Sequence, residues 1–281
     1  MVQDASLALA DRLAAIDGVA AVALGGSRAT GTASDDSDTD LGIYYEPDSP
    51  PSIAELNALA GVLDDRHEQN LVTEIGEWGP WINGGGWLTI EGRRVDWLFR
   101  DLSQVRRAID DCTAGRITCH YQSGHPHGFH NHMYMAEVHI GRILHDPTGT
   151  LGSLKARTDP YPAALKVAIV RKYAWEASFS LGTAQKPAAR GDVAYVSGCL
   201  FRTIACLVQV LFALNERYFL NEKRSVTIAA NLPATPLRLG DRVDVLLGKP
   251  GADPDELLAS LAAAEALLAD VRVLCPRDLI A

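Results

Sequence analysis

The stretch Leu24-Gly25-Gly26-Ser27-Arg28, followed eleven residues after the serine by Asp38-Thr39-Asp40-Leu41-Gly42-Ile43-Tyr44-Tyr45, decides how the rest of the chain is read. Ahead of it, Gly18 to Leu24 is a short apolar run that ends in glycines, the pattern of a buried strand. Behind it, Leu41 to Tyr45 is a second apolar run rich in β-formers, halted by Glu46-Pro47-Asp48. Asp38 and Asp40 stand where that second strand begins. Strand side chains alternate between faces, so the two carboxylates share one face. Like charges held that close repel unless a cation lies between them. Hard oxygen donors with no cysteine or histidine nearby suit Mg²⁺, which takes one or two carboxylates and fills its shell with water and phosphate oxygens. The glycine pair and the serine offer bare backbone N–H groups and a hydroxyl, which suit a phosphate. Taken singly, Gly-Gly-Ser reads as a turn and Asp35 to Asp40 as a solvated acidic loop. In this order, between two apolar strands, they set a phosphate cradle one loop away from a cation-binding pair.

At 281 residues the chain is long enough for one large or two ordinary domains. Its 47% hydrophobic and 22% charged residues are the balance of a soluble globular protein. A formal charge of −9 disfavours nucleic acid as the main partner, because phosphate backbones reward a basic face. It accords better with a cationic small-molecule acceptor. The five cysteines, Cys112, Cys119, Cys199, Cys206 and Cys275, are odd in number and form no C-x-x-C, which points to reduced thiols and a cytoplasmic setting. The N-terminus has no basic n-region and carries Asp4, Asp11 and Asp17, against a signal peptide. The longest apolar run, Cys206 to Leu214, is broken by Gln209 and falls short of the ~20 residues that span a bilayer, so no membrane segment is expected.

Along the chain, residues 4–16 carry Leu7, Leu9, Leu13 and Ile16 at roughly helical spacing. Residues 52–65 open on Ser52 and set Ile53, Leu56, Leu59, Ala60 and Leu63 on one stripe, a second helix. A glycine- and tryptophan-rich section runs from Trp78 to Trp87, with Asn83 to Gly86 as a tight turn or loop. Trp87 to Ile90 and Arg94 to Phe99 read as strands joined by a Glu91-Gly92 turn. Asp96 lies inside the second of these, where a carboxylate is costly unless it is paired or binds a metal. Ser103 is expected to cap a helix over 103–114. His120 to His132 then holds five histidines in thirteen residues, a composition that can mark a transition-metal cluster. No cysteine joins them, and Pro126 and Gly128 break any helix, which is against one compact zinc site. A loop reaching a cleft with His125 or His127, or a solvated, hydrogen-bonded loop, are the other readings.

The second half reads as helical. Tyr134 to Leu144 is expected as a helix stopped by His145-Asp146-Pro147, and Asp159-Pro160 precedes a long helix to Leu181. Its packing stripe is Val167, Val170, Ala174, Ala177 and Leu181, with Leu165, Ile169, Lys172, Tyr173 and Glu176 opposite. Lys172 and Glu176, four apart, read as a surface ion pair worth a few tenths of a kcal/mol. A leucine-rich helix from Asp192 to Tyr218 is the expected pillar. It leads to Lys223 and Arg224, which complement a helix dipole or reach a triphosphate. Pro254 to Leu274 is a final helix.

Gly26-Ser27, a loop of about ten residues and then Asp38-x-Asp40 leading into a strand resembles the signature of the DNA polymerase beta-like nucleotidyltransferase superfamily. With a helical second half, the layout is similar to antibiotic-modifying nucleotidyltransferases of the kanamycin type. The resemblance implies an α/β (α+β) nucleotidyltransferase domain with a mixed sheet over residues 1–130, followed by an all-helical substrate-binding domain over 131–281. It implies Mg²⁺ on Asp38, Asp40 and Asp96, the last matching a third carboxylate on a neighbouring strand. It implies a nucleoside triphosphate, ATP foremost, held by Gly26 and Ser27 with Arg28 and Lys223 assisting. The reaction it implies is transfer of a nucleoside monophosphate to a hydroxyl acceptor such as an aminoglycoside-like antibiotic. Glu176 is the nearest match to the glutamate that deprotonates the acceptor in such enzymes. The histidine-rich segment is not part of that pattern. No Walker-type G-x-x-x-x-G-K-S/T run is present, against a P-loop kinase. Two other classes compete: a toxin-like enzyme acting on tRNA or protein, and a non-catalytic nucleotide-binding module. The acidic balance counts against tRNA, and the intact Ser27, Asp38 and Asp40 count against a module without turnover.

Overall fold

The computed structural model describes residues 2–34 and 36–280, so Asp35 of the acidic loop lies outside it. The chain opens with α1 (Val2–Ala14), β1 (Ala21–Leu24), α2 (Gly26–Thr30), β2 (Thr39–Tyr45) and α3 (Ile53–Leu63). It continues with β3 (Gly85–Ile90), β4 (Arg93–Asp101), α4 (Leu102–Thr113), β5 (Cys119–His120), β6 (Phe129–His130), α5 (His132–Ile140), β7 (Arg142–His145) and α6 (Thr150–Ala156). Five strands form one mixed sheet in the order β3-β4-β2-β1-β7. β2 and β4 are parallel and the other pairs antiparallel. Alternation along β2 explains its place in the sheet. Leu41, Ile43 and Tyr45 join Val22, Leu24, Leu88, Val95, Trp97 and Phe99 in a core covered by Ala10 and Leu13 of α1 and Leu56 and Ala60 of α3. Each such large side chain contributes about 1.5–3 kcal/mol by burial.

The other face carries Asp40, Gly42 and Tyr44 on β2 and Asp96, Leu98 and Arg100 on β4. Its far end is closed by α5. Arg100, 3% exposed, donates from Nε and Nη2 to both Glu137 carboxylate oxygens at 2.6 Å, a bidentate fork. The same guanidinium lies 5.5 Å from the centre of the Tyr134 ring. Burial, and then the Glu137 charge, hold the Tyr44 hydroxyl far above the usual phenol range.

Several expectations are corrected. The expected helix over 134–144 is α5 followed by a strand, because β7 pairs along β1 and covers what would be an open sheet edge. The strand expected from Trp87 starts at Gly85, where a Cβ would stand 1.8 Å from the Trp97 carbonyl oxygen. The cap of α4 is Asp101, whose Oδ1 accepts from the Ser103 and Gln104 N–H groups at 2.7 and 3.3 Å; Ser103 is already inside the helix.

The chain separates into two compact units. The first runs to Asp111 and takes in Cys119–Gly124 and Gly128–Pro160; the second takes Cys112–Thr118, His125–His127 and everything from Tyr161. The boundary expected at 130/131 falls within the first unit, since α5, β7 and α6 build on its sheet. The second unit holds α7 (Ala163–Ala188), α8 (Val193–Leu214), α9 (Ser225–Ala229), α10 (Leu239–Gly248), α11 (Pro254–Leu274) and α12 (Arg277–Ile280). In α7 the expected stripe is buried from Val170 to Leu181. Leu165, Ile169 and Tyr173 on the opposite face are buried as well, at 0%, 2% and 0% exposure. The helix is therefore covered on both sides. At 22 residues α8 does have the length and composition of a membrane span, against the expectation from sequence, but 72% of its apolar window is buried as core. It ends at Leu214, so Lys223 is not on it.

Glu137→Gln removes the charge that neutralises a buried guanidinium, and is expected to destabilise the first unit by about 3–5 kcal/mol. Denaturant unfolding of the variant measures this. A loss below about 1 kcal/mol would show that Arg100 finds its counter-charge elsewhere.

Candidate active site

The chain leaves β1 through Gly25 and Gly26 and doubles back along the start of β2. The Gly25 N–H donates to the Asp40 carbonyl oxygen at 2.8 Å. Gly26 has φ +59°, and a Cβ there would lie 1.8 Å from Asp40 Oδ2. Glycine is needed twice over, for the left-handed backbone and for the close approach to a carboxylate. α2 follows at once, with Ser27 in its first turn and Gly31 ending it in the left-handed region. Arg28 turns back into its own loop, donating to the Ser37 carbonyl and, at 3.1 Å, to that of Asp38. The residue expected to assist with phosphate thus fixes the backbone that carries Asp38.

The parallel register of β2 and β4 pairs Thr39 with Val95 and Asp40 with Asp96. The antiparallel register of β3 and β4 pairs Asp96 with Trp87. Asp40, Asp96 and Trp87 therefore form one rung across three adjacent strands, on the face away from the core. One rung earlier, Arg94 Nε lies 2.8 Å from Asp38 Oδ1. That contact is an ion pair by distance only, since this buried oxygen has no aligned hydrogen-bond donor. Arg94 is largely exposed, so the pair contributes at most about 1 kcal/mol to stability. Arg94 was not singled out from sequence, yet the register makes it legible: it stands two residues before Asp96 as Asp38 stands two before Asp40.

Among the described residues no three His, Cys, Asp or Glu side chains stand together as a ready-made metal cage. The donor set nevertheless fits Mg²⁺. It consists of hard carboxylates on one face, with a buried Asp38 oxygen lacking a hydrogen bond and a glycine whose missing Cβ makes room for the Asp40 carboxylate.

Glu176 and Lys223 belong to the second unit. Glu176 is not the partner of Lys172: its Oε1 accepts from Arg202 Nε at 2.6 Å, and Arg202 Nη1 donates to the His127 carbonyl at 2.9 Å. Lys172 Nζ lies 5.4 Å from the Tyr173 ring centre. Lys223 is exposed in the turn before α9, where its N–H donates to Asn221 Oδ1 at 2.9 Å. In the histidine-rich segment, His125 Nδ1 is 3.0 Å from Glu222 Oε2. Burial works to raise the Glu222 carboxyl, but the His125 hydrogen bond, a backbone bond and the charges of His125 and His127 outweigh it and hold it below the usual range. His127 packs on Phe201 and Phe219, and burial pushes its imidazole down. His120 stacks on Trp81 at 4.6 Å, and His130 on His132 at 5.0 Å. Five histidines close together in sequence thus take up four separate settings.

Residues 8–80 match the family model described as "Nucleotidyltransferase domain". Residues 130–223 match "Domain of unknown function (DUF4037)", a match that runs from the end of β6 in the first unit to the turn before α9 in the second. No curated protein matches the chain. Among solved structures it is similar to a nucleotidyltransferase-like protein from Exiguobacterium sibiricum 255-15, with 11% identity, 97% of this chain and 76% of that chain covered, and a TM-score of 0.45. The chain carries a nucleotidyltransferase domain with a mixed sheet, followed by a helical region.

Gly26→Ala puts a methyl group onto the Asp40 carboxylate and strains the backbone. The carboxylate is the softer of the two and gives way. Stability is expected to fall by about 1 kcal/mol, whereas nucleotide-dependent turnover falls at least about 10²-fold. Thermal melting and an activity assay measure the two separately; unchanged turnover would show that the loop does not have to lie on Asp40.

Proposed function

We propose that this protein transfers a nucleoside monophosphate from a nucleoside triphosphate, ATP foremost, to a hydroxyl of a small molecule of the aminoglycoside-like kind. The observation that carries this reading is the Asp40–Asp96 rung, with Asp38 one rung away and a glycine-serine turn lying against Asp40. Asp38, Asp40 and Asp96 would hold Mg²⁺, which when bound supplies positive charge to the phosphates and to the oxygens gained and lost at phosphorus. The chain's own part is positioning. The Gly26 and Ser27 N–H groups and the Ser27 hydroxyl receive the β- and γ-phosphates, and Lys223 assists. Arg28 holds the Ser37–Asp38 backbone so that the Asp38 carboxylate keeps its place. The α-phosphorus then faces the carboxylate rung, the acceptor hydroxyl attacks in line, and pyrophosphate leaves. The formal charge of −9 supports a cationic acceptor over tRNA.

Nucleotides labelled at either phosphorus test the reaction. Label from the α position should enter the product and label from the γ position should leave as pyrophosphate, with both events lost in Asp40→Asn. Transfer of γ label to an acceptor would mean phosphoryl transfer, and the reading would be wrong.

Glu176 is proposed as the general base that takes the acceptor proton, with Arg202 holding its carboxylate in place. A positioned base contributes about 10²–10⁴-fold in rate. Glu176→Gln should therefore lower kcat by at least about two orders of magnitude and leave nucleotide affinity unchanged. Near-normal turnover would leave Asp96 as the base.

A further inference from the structure

Trp87 is 63% exposed on β3, an edge strand of the sheet. Its ring stacks on Trp78 at 4.6 Å between centroids, with an interplanar angle of 19°. An indole this open presents flat aromatic surface to solvent. The arrangement is held from behind: the buried Gln122 donates from Nε2 to the Trp78 carbonyl at 2.7 Å, which fixes the loop that supports the pair. The pair also stands in a particular place. Trp87 is the register partner of Asp96, which is the register partner of Asp40. The indole therefore stands on the carboxylate face, about 5 Å from Asp96 at Cβ. On the far side of the carboxylates, the Gly25–Ser27 turn follows β1. From that turn to Trp87 the face spans three strand spacings, about 14 Å. That is the reach of an outstretched nucleoside triphosphate whose phosphates lie at the turn.

We propose that the Trp78–Trp87 pair is the platform on which the base of the donor nucleotide stacks, an assignment that rests on the reading of the chain as a nucleotidyltransferase using a nucleoside triphosphate. A flat aromatic surface accepts any base by its π-face, so the platform adds affinity without choosing strongly between bases. Phosphates at the glycine turn, the α-phosphorus over the carboxylates and the base on the indole use the whole width of the face in one pose. Mutual shielding of the two rings does not by itself explain Trp87, since its outer face stays in water.

Calorimetric titration of the full chain in Mg²⁺ with ATP and, separately, with inorganic tripolyphosphate tests the assignment. Trp87→Ala should weaken ATP by about ten- to a hundredfold and leave tripolyphosphate unchanged, while Trp87→Phe keeps most of the ATP affinity. The unchanged tripolyphosphate also shows that the variant is folded at the site. ATP bound equally by wild type and Trp87→Ala would overturn the platform and leave nucleotidyl transfer standing. Loss of both ligands together would overturn it too, because the damage would lie in the phosphate site. A wild-type chain that binds neither ligand would remove the nucleotidyltransferase reading itself, and the platform with it.

Discussion

Everything on the working face depends on the parallel register that sets Asp40 beside Asp96. Register partners on adjacent strands stand about 5 Å apart at Cβ, so two acids share one small patch of the face. The opposite side of the same strands leaves that placement no choice. Leu41, Ile43 and Tyr45 on β2 and Val95, Trp97 and Phe99 on β4 are committed to the core. A slip of one residue would bury the acids and expose the core residues. Hydrophobic burial on one face thus sets two acids side by side on the other.

The same face has a closed end and an open one. Arg100, Glu137, Tyr44 and Tyr134 fill the closed end, where the bidentate ion pair makes burial of the guanidinium tolerable. At the open end, Arg94 meets Asp38 in a loose contact that is largely exposed. Buried and hydrogen-bonded, the first pair is structural. The second is weak enough to be exchanged for a ligand at little cost. The two arginine–carboxylate pairs differ in worth because one guanidinium is 70% exposed and the other 3%.

The helical unit has its own logic. α8 is apolar nearly all round, which suits either a membrane or the middle of a bundle, and burial within the unit decides for the bundle. Arg202 projects from it to Glu176 on α7 and to the His127 backbone. One guanidinium thus ties together a helix face and the short segment His125–His127. Glu222, on the turn before α9, meets His125 in the same unit. The histidines are distributed as packing and hydrogen-bonding groups, each taking the partner nearest in the fold.

Much of the catalytic half was legible in the sequence because its signals are local. Period-two alternation around Asp40 fixes which residues face the core. The bare glycines beside Ser27 announce a backbone exposed to a ligand, and Ser52 caps a helix as short-range hydrogen bonding demands. What needed the tertiary structure was every pairing of residues far apart in the chain. No local pattern says that residues 142–145 leave a helical context to cover the edge of β1, because edge pairing is a property of the assembled sheet. None says that Glu176 chooses Arg202, 26 residues away, over Lys172 one turn away, since a long side chain answers to the nearest well-placed donor in space. Nor does any local pattern say that Trp87 shares a rung with Asp96 and Asp40. Sequence alone determined which side chains each strand turns to the working face; strand order and register decided which of them stand next to one another.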